Sequence, residues 1–564
     1  MMIEYRADDF NIDELGCFYT KEKAVFRVFA PGHDTLFLVL DGVRYPMDRM
    51  NDTFQVTMKG DKELSRYHFE DDKGISFKDP FAYLSQGNDS LILDPALFEK
   101  EKVLPEKRED IVIYETSVRD FSSYGYFGKY AGTFKALGLS GLKRDDYFLL
   151  GIDYLQNLGI SHLQLMPVLD FDNDRSGYNW GYNPIAFNQV KGDYVYEKND
   201  PYAYINELRE AVNRLHKHNI RVVLDVVFNH VYDVRTFDIE KMIPGHFLRR
   251  KTDGKLAMGT FCGSEIKTED VFVRAYLLKM ALRYLELFDI DGLRLDLMGI
   301  MDSETVNLLK EQLTKRKPDF VVYGEGWNMG DALPEEQRAS IPNASRMPEI
   351  GMFNDYFRET ISAYIMGADN QEDARKAMTG DEYLDHKQSV NYVECHDGLT
   401  FFDRLGIDCV YDSPEEVRSK CKLALAMVMM SRGIPFIHSG QEFLRTKKGI
   451  ANSYNKPDEI NALNWDLRIY NNEICDYLRS LITFRREYGI YEEGTEMTSM
   501  EDPFCLILKI NGCRIYFNPH REEITYRDEN DYQIIFDQNG KCDYHTHILI
   551  VPAYSMVICN SNVV

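Results

Sequence analysis

The chain has 564 residues, with 66 Lys and Arg against 91 Asp and Glu for a formal charge of −25, and is 44 % apolar and 13 % aromatic. That length implies several domains with sizeable cores, and the composition excludes a disordered or fibrous chain. The acidity argues against a nucleic-acid partner, whose phosphates need a basic face. Ten cysteines stand apart with no C-x-x-C spacing, which excludes the common zinc patterns and shows no disulfide framework. No basic, apolar leader opens the chain, and its longest strongly apolar run, Leu423 to Met430, is too short to cross a bilayer. The expectation is a soluble, cytoplasmic protein with no membrane partner. Oligomeric state is not legible.

Residues 1–105 read as β-structure. Ala24 to Ala30 and Thr35 to Leu40 are strand-like and are punctuated by Pro31-Gly32 and Asp41-Gly42. Short runs at this spacing predict a small sandwich. From about residue 106 to 488 the pattern changes to apolar runs alternating with helices. The runs are 111–115, 162–168, 221–228, 292–298, 320–324, 350–354, 389–394 and 433–438. Continuous apolar strands separated by helices mean parallel strands buried on both faces. Ile205, Leu208, Val212 and Leu215 mark one amphipathic helix, and Leu278, Leu282 and Leu285 another. Strand–helix units in this number predict an α/β fold, a (β/α)8 TIM barrel. The competing doubly wound sheet lacks a G-x-G-x-x-G after its first strand. Strands return over 489–564, at 503–510, 513–517, 532–536, 547–551 and 556–559, and predict a C-terminal β-sandwich.

In a barrel the chemistry sits at the C-terminal ends of the strands. Those ends carry Asp225 to His230, Arg294-Leu-Asp296, Gly324-Glu325-Gly326-Trp327 and Glu394-Cys395-His396-Asp397. Arg294 and Asp296 are two apart on a strand and share a face. A guanidinium beside a carboxylate favours its ionised form, which suits a nucleophile. An ordinary internal ion pair is the competing reading of these two residues. Glu325 stands between two glycines, where backbone approaches a ligand closely, and beside Trp327, a setting that raises a carboxyl toward general-acid duty. Alone it would read as a loop carboxylate facing water, and His396-Asp397 alone as a turn. Together they match the paired carboxylates of glycoside hydrolysis, a nucleophile and an acid flanking one bond. Trp180, Trp327 and Trp465 all follow barrel strands and are expected to present flat rings to sugars at the barrel mouth.

These motifs carry a resemblance. The chain resembles the α-amylase superfamily, glycoside hydrolase family 13, in its type I pullulanase branch. Asp225 to His230, Gly292 to Asp296, Gly324 to Trp327 and Tyr392 to Asp397 fall in the family's order on the expected strands. The branch signal is Tyr178-Asn-Trp-Gly-Tyr182-Asn-Pro184, where Asn183 replaces the usual Asp. Gly440 to Thr446 and Asn452 to Asn461 are similar to the branch's eighth-strand loop, and Asp397-Gly398 departs from the common Asp-Asn toward isoamylase-like forms. The first hundred residues resemble, more weakly, a family 48 carbohydrate-binding module.

The resemblance implies that Asp296 is the nucleophile, Glu325 the acid and base, and Asp397 the group that steadies the distorted sugar. It places Arg294, His230 and His396 around that sugar, Tyr182 beneath it, Trp327 on the acceptor side and Asp458 at a more distant sugar. It implies retaining hydrolysis of α-1,6 branch linkages in pullulan, limit dextrins and branched maltodextrins, so the partner is an α-glucan. The alternatives are an isoamylase-like debranching enzyme, an α-1,4-active neopullulanase and a non-catalytic glucan-binding protein. No cofactor is required. Calcium is allowed through oxygen ligands, and Asn229 is either such a ligand or a loop tie.

Overall fold

The structure, a computed structural model, describes residues 5–106, 110–173, 177–330, 332–380, 384–490, 497–503, 505–538 and 546–560. The N-terminal strands alternate in burial. Leu36, Leu38 and Leu40 point inward while the residues between them are half-buried. This is the pattern of strands with one face on a core. A four-stranded sheet containing Lys23–Phe29 and a six-stranded sheet containing Leu36–Leu40 and Arg66–Asp71 enclose Phe26, Phe54, Tyr67 and Phe69.

Eight strands then close into a barrel. They are β1 (Ile113–Thr116), β2 (His162–Leu165), β3 (Arg221–Val226), β4 (Gly292–Leu295), β5 (Val321–Gly324), β6 (Gly351–Phe353), β7 (Ser389–Asn391) and β8 (Ile434–His438). Neighbours pair in parallel, and β8 returns to β1 through Ile113 opposite Phe436. Seven of the eight apolar runs read from the sequence contain a whole strand, and the first, 111–115, stops one residue short of the end of β1 at Thr116. Val223, Tyr323, Phe353, Val390 and Phe436 fill the interior, so the barrel is a packed core and not a pore.

The helices lie outside. The helix marked by Ile205, Leu208, Val212 and Leu215 spans Ala203–Lys217. The next one begins earlier than its leucine spacing suggested, at Val271–Phe288. Asp270 caps its N-terminus by accepting from Phe272 N and Val273 N, and that cap overrides the strand-like Val-Phe-Val opening. The apolar run 423–430 is the buried end of the helix Pro414–Met430, which starts in a Ser413–Glu416 capping box. No helix among the described residues is long and apolar enough to cross a membrane.

The last barrel helix is Asn472–Glu487. Beyond it, six strands form one sheet. The long strand Ile524–Asp537 pairs with Thr546–Val551 through its first part and with Ser555–Asn560 through its last. The sheet thereby wraps a small core of Ile507, Tyr516, Leu549 and Val557.

Candidate active site

Strand β4 delivers Arg294 inward, and Asp296 follows just beyond its end. The Arg294 side chain is 1 % exposed. Its Nη1 donates to Asp225 Oδ1 at 2.9 Å, to Asp225 Oδ2 at 3.0 Å and to Asp296 Oδ1 at 3.1 Å. Its Nη2 lies 2.6 Å from Glu325 Oε1. One planar guanidinium therefore holds the two carboxylates expected to act on one bond. The other oxygen of Asp296 accepts from Asn229 Nδ2 at 2.9 Å, and the same amide donates to the Asp296 carbonyl at 2.7 Å. Asn229 thus ties this loop to Asp296 through its amide nitrogen. Leu297 adopts a left-handed backbone, φ 37° and ψ 46°, uncommon for a side chain of its size. That twist turns its N–H onto Glu325 Oε2 at 3.0 Å.

The glycines around Glu325 serve a different purpose from the one read in the sequence. A Cβ on Gly324 would meet the Leu295 carbonyl at 2.4 Å, and one on Gly326 would meet Met352 Sδ at 2.9 Å. They admit the protein's own packing, not a ligand. The tightest position is Gly299, whose N–H donates to the Glu325 carbonyl at 2.9 Å and whose missing Cβ would sit 1.9 Å from the Trp327 carbonyl. Gly299→Ala must therefore displace the Glu325–Trp327 segment. The expected result is a stability loss on the order of 3 kcal/mol with a fall in kcat of roughly a hundredfold, read by thermal unfolding and turnover on the same preparation.

A cavity of about 500 Å³ opens at the C-terminal ends of the strands, with Asp296, Glu325 and Asp397 on its wall. Tyr182, His230, Trp327 and His396 line it as well. Tyr182 donates its hydroxyl to Asp225 Oδ2 at 2.7 Å and stacks on His396, with ring centroids 5.0 Å apart at 18°. His396 is pinned through its backbone N–H and Nδ1 to the two oxygens of Glu115, at 2.8 Å each. Glu115 also accepts from Gln164, which accepts from Tyr323 deeper in the barrel. His230 Nδ1 lies 2.7 Å from Asn229 Oδ1 and its Nε2 3.1 Å from the Tyr182 carbonyl.

Burial sets the proton affinities. It pushes Glu325 up to about 7, against the pull of Arg294 and with the help of the Asp296 charge. It pushes Asp225 up to about 6 despite Arg294. For His396 burial acts downward, but the Glu115 carboxylate outweighs it and the imidazole is held above its usual value.

One sequence reading needs correction. Trp465 is fully buried; its Nε1 donates to the Phe121 carbonyl at 2.8 Å and its ring packs against Phe121 and Tyr154. It is a core residue because Asn464 caps a short helix that drives it inward. Trp180 and Trp327 do line the cavity. Glu394 is also turned inward, onto His438 Nδ1 at 3.0 Å, and burial pushes it up to about 8. Asp397 alone of that segment's two acids reaches the cavity. Asp458 is not among the lining residues; it takes a two-pronged ion pair from Arg119, at 2.8 and 3.1 Å. Arg294 lies beneath the wall. Among the described residues, no group of three or more His, Cys, Asp or Glu gathers as a metal site.

Sequence reasoning assigned no role to Glu115 or Asp225, although each ends a barrel strand facing inward. That position was the available signal. It also passed over Tyr232, Phe261, Cys262, Asn452 and Tyr454, which reach the cavity from long loops and carry no strand-end signal.

No family model matches the chain. Its sequence is 35 % identical over 542 residues to a pullulanase of Bacillus subtilis (strain 168), spanning 89 % of this chain and 75 % of that protein. It is 28 % identical over 390 residues to Pullulanase A of Streptococcus pneumoniae serotype 4, spanning 62 % of this chain and 29 % of that much longer protein. Among solved structures, the type I pullulanase of Bacillus subtilis str. 168 complexed with maltose superposes with a TM-score of 0.93 at 32 % identity, over 98 % of this chain and 86 % of that one. The pullulanase of Anoxybacillus sp. LM18-11 complexed with maltotetraose gives 0.92 at 29 % identity, over 98 % and 88 %.

Proposed function

The chain belongs to the type I pullulanases of the α-amylase superfamily, debranching glycosidases that hydrolyse α-1,6-glucosidic bonds, and we propose that it works by retaining double displacement with Asp296 as nucleophile, Glu325 as acid and base, and Asp397 as the group that holds the distorted sugar. The observation that carries this reading is the single Arg294 guanidinium shared by Asp296 and Glu325, both facing one cavity.

The chemistry runs in two steps. Protonated Glu325 gives its proton to the glycosidic oxygen as the C–O bond breaks, while Asp296 bonds to the anomeric carbon. Ionised Glu325 then takes a proton from water, whose oxygen displaces Asp296. Tyr182, stacked on His396, forms the floor against which the sugar lies. Trp327 serves the acceptor side. Asp458, paired with Arg119, serves a sugar farther along the chain. The carboxylates and Arg294 supply the charges the steps need, so we propose that no cofactor takes part; dialysis against EDTA should leave turnover unchanged. The bound maltose and maltotetraose of the related enzymes support an α-glucan as the ligand. The eight free cysteines from Cys17 to Cys513 support a reducing, cytoplasmic setting, and imported branched maltodextrins as the natural substrate.

Incubation with pullulan tests the linkage: maltotriose as product is expected, released first as the α-anomer. Panose would mean α-1,4 cleavage, and a β-anomer would sink the retaining mechanism. The proton held by Glu325 gives a second expectation. Its neutral form is the catalyst for the first step and is lost as pH rises through about 7, so kcat/KM on pullulan should fall about tenfold per pH unit above that point. A profile flat to pH 9 would remove Glu325 from the acid role.

A further inference from the structure

The short strand Ser264–Glu265 pairs antiparallel with His230–Val231 and brings the preceding turn back to the cavity. That turn is anchored from below. Thr260 Oγ1 accepts from Cys262 N at 3.3 Å and Gly263 N at 3.1 Å, and donates to the Gly263 carbonyl at 2.8 Å. Gly259 N donates to Glu265 Oε1 at 2.9 Å, and Glu265 is itself tied to Arg249. A Cβ on Gly263 would collide with the Val231 carbonyl at 2.3 Å. The backbone is thus locked, yet its tip is Phe261, at φ 60° and 90 % exposed.

A bulky aromatic in the left-handed region is costly, and glycine or asparagine would meet the turn's demand better. The ring is left to solvent rather than used for packing, so folding gives no reason for it. Tyr232, 45 % exposed, lines the same cavity as Phe261. Strain retained without a packing return marks a site of use.

We propose that Phe261 is a specificity-determining residue, its ring forming with Tyr232 an apolar shelf at the cavity rim on which a glucosyl unit of the α-glucan stacks, outside the scissile bond. This rests on the glucan-processing reading above. The site nearest Asp296 and Glu325 is already walled by Tyr182, His230, His396 and Trp327, which leaves Phe261 to meet the chain as it emerges.

The test is calorimetric binding of maltotetraose together with thermal unfolding. Phe261→Gly should weaken binding about three- to tenfold, the range of one lost aromatic contact, with a melting temperature equal to or above that of the parent because the strain is relieved. Phe261→Tyr should bind like the parent. Unchanged affinity in Phe261→Gly overturns the proposal, and so does a fall in melting temperature of several degrees, which would make Phe261 a folding residue. Maltotetraose has no α-1,6 bond, so binding is read without turnover. A chain that binds it through Phe261 but releases nothing from pullulan would sink the activity and leave the shelf standing.

Discussion

Asp296→Asn should abolish turnover and leave the fold in place, with kcat on pullulan falling by on the order of 10⁴ or more. An amide has no charge with which to bond to an anomeric carbon, while its size and shape match the acid. The structural cost is small for a specific reason. Arg294 keeps Asp225, at 2.9 and 3.0 Å, and Glu325, at 2.6 Å, so its buried charge is not orphaned. Of the two donors that face Asp296, from Arg294 and Asn229, the amide oxygen satisfies one and the amide nitrogen opposes the other. That mismatch is worth about 1–2 kcal/mol. Reducing-sugar release and thermal unfolding on the same sample separate the two effects. Turnover within tenfold of the parent would remove Asp296 from the nucleophile role, whatever its position.

The barrel was legible in the sequence because parallel strands buried on both faces leave continuous apolar runs, and seven strands fall inside them while β1 overruns its run by Thr116 alone. The strand-end rule points to Asp296, Glu325 and Asp397, which the fold brings to one cavity. What it missed follows from what it measures. Glu115 and Asp225 make no contact with solvent, and their importance lies in partners 281 and 69 residues away in sequence, a separation that no local pattern encodes. Trp465 misled for the same reason. Its neighbours in sequence are polar, and only the packing of Phe121 and Tyr154 against it makes it core. The Gly-Glu-Gly triplet was read correctly as a close approach but with the wrong visitor, because sequence does not say whether ligand or backbone comes near. Phe261 shows the converse: its exposure and its backbone angle are both invisible until the turn is built.

Arg294→Lys should also be severely damaging to catalysis, though charge is conserved. Three carboxylates, Asp225, Asp296 and Glu325, meet at the two ends of the guanidinium. A lysine ammonium is one point on a flexible stem and cannot occupy both ends. Whichever carboxylates it abandons stay buried, at a cost on the order of 3 kcal/mol, and the relative placement of nucleophile and acid is lost, for a fall in kcat of roughly 10²–10³. The sign of the pH effect distinguishes this account from general disruption. Burial raises Glu325, and the Arg294 charge opposes that rise. Moving the charge away from Glu325 removes the opposition, so the acid holds its proton to higher pH and the alkaline limb of kcat/KM moves above its parental position near 7. Simple unfolding would narrow the profile from both sides instead. A limb that stays in place or shifts downward in a folded Arg294→Lys protein would mean that Arg294 does not govern the acid, and that the shared guanidinium is an ordinary ion pair of the barrel interior.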